Sequence, residues 1–141
     1  MTAAAAGQLE ACICRVHAPA AVVLLVASGG ARALTSARHV AGLLNEASFS
    51  TVVCDLGEAS GDSDSDTTHV LARRVLTLIA WIEQQSAFRG MALTCYCTPL
   101  ATAATLQADA ARPGVIRAIV STAGEQDLAG PGLASIRAPS L

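Results

Sequence analysis

The stretch Ala92-Leu93-Thr94-Cys95-Tyr96-Cys97-Thr98-Pro99-Leu100, followed by an alanine-rich run to Ala111, decides how this chain folds. Its first half reads as a short apolar strand. Its second half reads as a helix: Pro99 suits the first helical turn, and Pro113-Gly114 supplies the stop. The corner between the two carries a thiol, Cys97. A strained strand-to-helix turn can lift a reactive side chain above a sheet. Whether Cys97 does chemistry is therefore the question the rest of the sequence bears on.

Working outward, Ala21 to Ala27 (AVVLLVA) is a continuous apolar run, the mark of a strand buried on both faces. Ser28-Gly29-Gly30 breaks it, and Thr35 or Ser36 is placed to cap a helix through about Ala47. Val40, Leu43, Leu44 and Ala47 share one face of that helix. Phe49 to Cys54 is a second buried strand ending at Asp55. Residues 57–66 (GEASGDSDSD) form an acidic, exposed loop. Asp66 or Thr67 then caps a long helix to about Gln85, with Leu71, Val75, Leu78 and Ile82 as its buried stripe and Trp81 alongside. Met91 to Tyr96 and Val115 to Val120 are the third and fourth buried strands. Leu9 to Val16 alternates loosely and reads as an edge strand, while residues 1–7 read as a small-residue tail without regular structure.

Strands alternating with helices predict one α/β domain over residues 1–141, a three-layer sandwich on a mainly parallel sheet of about five strands. Ligands of such sheets sit beyond the carboxyl ends of the strands. The loops that matter are then Ser28-Gly29-Gly30, Asp55 onward, Cys97-Thr98, and Ser121 to Asp127.

Composition narrows the function. The chain is 52% apolar and 3% aromatic, with net charge −2 and nine basic residues, all arginine. No basic stripe exists to neutralise phosphates, so a nucleic-acid surface is not expected. No apolar run approaches the ~20 residues of a membrane span. The five cysteines, Cys12, Cys14, Cys54, Cys95 and Cys97, are odd in number and sit in apolar runs. They read as reduced thiols in a cytoplasmic protein. Neither metal nor cofactor is expected. The spaced aspartates of 57–66 lack the glycine and terminal glutamate of a calcium loop. The paired Cys-x-Cys sulfurs stand ~6.5–7 Å apart along a strand, too far for one tetrahedral zinc.

With this order of elements the chain resembles the α/β-hydrolase fold, most closely its dienelactone-hydrolase-like branch. The resemblance rests on AAVVLLVASGGARALTSARHVAGLLNEASFSTVVCDL, LIAWIEQQ, the Tyr96-Cys97 pair, and GVIRAIVSTAGEQDLAG followed by LASIRAPSL. It covers nearly the whole chain but only the first two thirds of the fold, so an incomplete hydrolase fold is expected. It implies Cys97 as the nucleophile, with backbone N–H groups of Thr98 and of Gly29 or a neighbour as the oxyanion hole. The family has glycines two residues before and after the nucleophile, where this chain has Cys95 and Pro99. Pro99 also steers Thr98 away from the helical region. The chain stops at Leu141, before the positions that supply the acid and histidine of the triad. Asp127 is the remaining acid candidate, with a loop-capping role as its plainer reading. His17, His39 and His69 do not fall at the family's position.

Three functions follow as expectations. The first is a hydrolase of the dienelactone-hydrolase type, acting on a small ester or lactone through Cys97 and weak or inactive as this chain alone. The second is a non-catalytic domain of that fold, associating with a second copy or another chain along the open edge at Val115–Val120. The third is a thiol redox sensor built on Cys95 and Cys97. Cys97 itself is either a reactive thiolate or a small buried hydrophobe.

Overall fold

A computed structural model describes residues 2–6, 9–58 and 64–122. The elements run β1 (Thr2–Ala6), β2 (Leu9–Cys14), β3 (Val22–Ala27), α1 (Ala31–Glu46), β4 (Ser50–Asp55), α2 (Asp64–Gln84), β5 (Leu93–Cys97), α3 (Pro99–Ala111) and β6 (Ile116–Ser121), with a short 3-10 turn at Ser86–Phe88 after α2. The strands form one sheet in the order β1-β2-β4-β3-β5-β6. β3, β4, β5 and β6 are parallel, whereas β2 runs antiparallel to β4, and β1 to β2. The architecture is the α/β sandwich that the alternating apolar runs predict.

The continuous apolar run of β3 is explained by its place in the middle of the sheet. Val22, Leu24 and Val26 face the larger core with α2 and α3, while Val23, Leu25 and Ala27 face α1. All six residues of β3 are buried. The alanines of α3 serve a related purpose, because Ala101, Ala104 and Ala108 are almost wholly buried in that larger core. Small side chains let the helix lie close to both the sheet and α2.

The structure departs from the sequence expectations at three element boundaries. Residues within the expected 1–7 tail form β1, an outer strand paired to β2 from Thr2↔Ile13 to Ala6↔Leu9. Helix α1 begins at Ala31 with Gly30 as its N-cap, not at Thr35 or Ser36, and no side chain caps it. Gly29 and Gly30 take φ values of 114° and 87°, which lets the chain turn into the helix at once. Thr35 sits inside the helix and donates its hydroxyl to Ala31 O at 2.8 Å. Helix α2 begins at Asp64, inside the expected acidic loop 57–66. Of that loop, residues 59–63 lie outside the described residues, as do 123–141 with Asp127.

β6 is the last strand of the described sheet, with β5 on one side only. A register shift at Leu93/Thr94 places Ile116 and Ile119 inside and leaves Val120 40% exposed. Among the described residues no helix is long and apolar enough to cross a membrane.

Candidate functional site

The connections leave β3 on opposite sides: α1 leads to the neighbour β4, and α2 then crosses to β5 on β3's other flank. A parallel sheet opens a crevice at such a reversal, beyond the carboxyl ends of its strands. A cavity of about 380 Å³ lies there, lined among others by Ser28, Gly29, Arg32, Tyr96, Thr98 and Leu100. Two of the sequence-predicted residues, Gly29 and Thr98, thus meet at the expected end of the sheet.

Cys97 does not line this cavity. It is the last residue of β5, in register with Val26 and Ser121, and is completely buried on the side of the sheet covered by α3. Burial pushes its thiol from near 9.0 up to about 12, with only partial opposition from the Thr105 hydroxyl. Cys95, on the same face, is raised well above 9.0 by burial and by the nearby Cys97 and Asp109. Desolvation is the dominant effect on this thiol, because the charged form is the one that burial penalises.

The strand-to-helix corner is relaxed rather than strained. Thr98 caps α3 with φ −72° and ψ 161°, the extended conformation that a following proline imposes. Among the described residues the only non-glycine positive φ values belong to Ala18 and Ser48. The corner therefore lacks the backbone kink that lifts a nucleophile clear of the sheet.

Of the two expected oxyanion donors, Thr98 is engaged. The Thr98 N–H donates to Val26 O at 3.0 Å, extending the β3–β5 pairing by one residue. The Thr98 hydroxyl, buried, accepts the Ser28 N–H at 3.1 Å and donates to Ser28 O at 3.3 Å. Thr98 thus ties the loop after β3 to the start of α3. Gly29 remains at the cavity wall, and a side chain there would meet Leu100 Cδ1 at 3.1 Å. Between α3 and the end of β6, Thr102 and Ser121 share a hydrogen bond of 2.6 Å.

No imidazole reaches the crevice. His17, His39 and His69 are all exposed, and none lines the cavity. His17 follows β2, whose end at Cys14 pairs with Thr51 near the start of β4, at the opposite end of the sheet from Cys97. Asp55 acts as a turn former, its Oδ1 accepting the Gly57 N–H at 2.9 Å. Among the described residues no group of three or more His, Cys, Asp or Glu could hold a metal ion. Reasoning from sequence missed Arg32, Ser36 and Tyr96 as cavity residues. The available signal was the position of Arg32, two residues after the Gly29-Gly30 break.

Comparison with known proteins bears on the fold. No family model matches the sequence. Two proteins of Mycobacterium tuberculosis, from strains CDC 1551 and H37Rv and provisionally named phosphoribosyl transferases, are each 33% identical over 124 residues. The match takes in 85% of this chain, which spans 28% of the length of those relatives. Among solved structures, dienelactone hydrolase from Anabaena variabilis superposes with a TM-score of 0.83 at 23% identity, covering 99% of this chain and 69% of that one. An α/β serine hydrolase homologue from Coxiella burnetii superposes with a TM-score of 0.69 at 16% identity, covering 95% of this chain and 66% of that one. The chain has the α/β-hydrolase fold, in the arrangement seen in dienelactone hydrolase.

Proposed function

We propose that this chain is a non-hydrolytic domain of the α/β-hydrolase fold, which works by association along its sheet rather than by acyl transfer. The observation that carries this reading is the position of Cys97. A cysteine nucleophile must present a thiolate to substrate, and here the sulfur is buried under α3 with its pKa raised to about 12. The occupied N–H group of Thr98, one of the two expected donors, supports the same reading, since an oxyanion hole needs free donors. The associating surface is the outer edge of β6, which has no neighbouring strand among the described residues and whose exposed Val120 suits pairing with the same strand of a second copy.

The competing reading is a dienelactone-hydrolase-like enzyme cleaving an ester or lactone through Cys97, and the close superposition on dienelactone hydrolase favours it. A chromogenic short-chain ester separates the two. Wild type and Cys97→Ala are expected to hydrolyse it equally, at the background rate. Turnover that disappears in Cys97→Ala would establish the enzyme instead. Sedimentation of the same samples reports association, and a concentration-independent monomer would remove the β6 pairing.

A further inference from the structure

Two of the five cysteines take no part in the site described above. Cys12 and Cys14 stand two residues apart in β2, free and half-buried. Ala11 and Ile13 join the larger core with α2, so the alternating side chains of Cys12 and Cys14 take the other face of the sheet. There Cys12 packs against the cluster that α1 forms with β3 and β4. Across the β2–β4 ladder the two cysteines face Val53 and Thr51. Val53 offers no donor atom, and the Thr51 hydroxyl is already bonded to the Asn45 side chain at 3.0 Å. Neither thiol makes a hydrogen bond within the described residues.

Two thiols without a third donor select the ion they could hold. Among the described residues no group of three or more His, Cys, Asp or Glu could bind a metal, so a four-coordinate zinc centre has too few ligands. Glu10 shares this face of β2, but its exposed carboxylate is a hard ligand and suits harder ions. A soft ion such as Cu(I) is content with two thiolate sulfurs on opposite sides of it. That unit spans ~4.6 Å between sulfurs, twice a metal–sulfur bond of ~2.3 Å. Cβ atoms two residues apart in a strand are ~6.5–7 Å apart. The two common χ1 rotamers of strand residues lean in different directions along the chain. With Cys12 turned forward and Cys14 turned back, the sulfurs close to the span of the linear unit. We propose that Cys12 and Cys14 form a two-sulfur site for one soft monovalent cation of the Cu(I) or Ag(I) kind. On binding, two S–H bonds break and two sulfur–metal bonds form, both protons pass to solvent, and no oxidation state changes. The site lies on β2, separated from the β6 edge by three strands, and depends on neither that edge nor Cys97.

Anaerobic titration of the reduced full chain with Cu(I), in competition with the chelator bathocuproine disulfonate, tests it. One equivalent is expected to bind, and X-ray absorption at the copper edge should show two sulfurs and no third donor. Cys12→Ser and Cys14→Ser, each checked for folding by circular dichroism, should each weaken binding by about a hundredfold or more, because the second sulfur then no longer acts intramolecularly. Wild type alkylated at Cys12 and Cys14 in its native state should lose the ion in the same way, with no substitution involved. The proposal is overturned if the chelator keeps all the copper, or if either serine variant or the alkylated protein binds like wild type. Two equivalents would mean independent thiols, and half an equivalent an ion shared between two copies; either result, or a third sulfur in the spectrum, also overturns it.

Discussion

At the scale of single residues, Cys97 and Thr98 exchange the roles their sequence neighbourhood assigns. The strand keeps Cys97 one residue longer than an elbow would, so the sulfur points into the α3 interface and Thr98 occupies the corner. The consequence for pH is definite. In the unfolded chain these thiols ionise near 9.0, whereas in the folded chain Cys97 and Cys54 keep their protons to about 12. Between those values the folded state binds more protons than the unfolded, so stability is lost as pH rises. The slope approaches about 1.4 kcal/mol per pH unit for each fully buried thiol. Urea titrations at pH 8 and pH 10.5 should show a clear fall, and replacing Cys97 with alanine should flatten it. Thr98→Val tests the other half of the exchange. It strips the partner from the Ser28 N–H, and should cost about 1–3 kcal/mol in chemical denaturation.

At the scale of elements, agreement was best where local chemistry and tertiary position reinforce each other. Pro99 to Ala111 is legible as a helix because proline at its start and Pro113-Gly114 after it are strong punctuation. The hydroxyls of Thr35 and Ser36 point to a later start for α1, whereas positive φ at Gly29 and Gly30 turns the chain sooner. β1 is invisible in an alanine run, since its strand conformation comes from pairing with β2 and not from propensity. The end of α1 was also unmarked. Ser48 lies at φ 67°, and Phe49 N–H reaches back to Leu44 O at 3.0 Å, the closing bond of a left-handed cap. Glycine is at home there and serine is strained. Ser48→Gly is therefore expected to raise stability by about 0.5–1 kcal/mol, and Ser48→Val to lower it by at least as much, both read from denaturation midpoints.

At the scale of the whole molecule, the sheet was legible and the site only in part. Apolar runs of fixed length announce buried strands, and their alternation with helices leaves few topologies. A cavity is assembled from residues far apart in sequence, and no local pattern records that Arg32 and Tyr96 line the same one. The same distance effect hides the fate of Cys97, whose burial depends on how closely α3 settles onto β5. The sequence shows a thiol at a corner, and only the packing shows which side of the sheet it takes. Native-state alkylation with iodoacetamide at pH 8, followed residue by residue by mass spectrometry, measures it directly. The half-exposed Cys12 and Cys14 are expected to be labelled while Cys97 stays unmodified until the protein unfolds. Labelling of Cys97 ahead of Cys12 and Cys14 in the folded protein would contradict it.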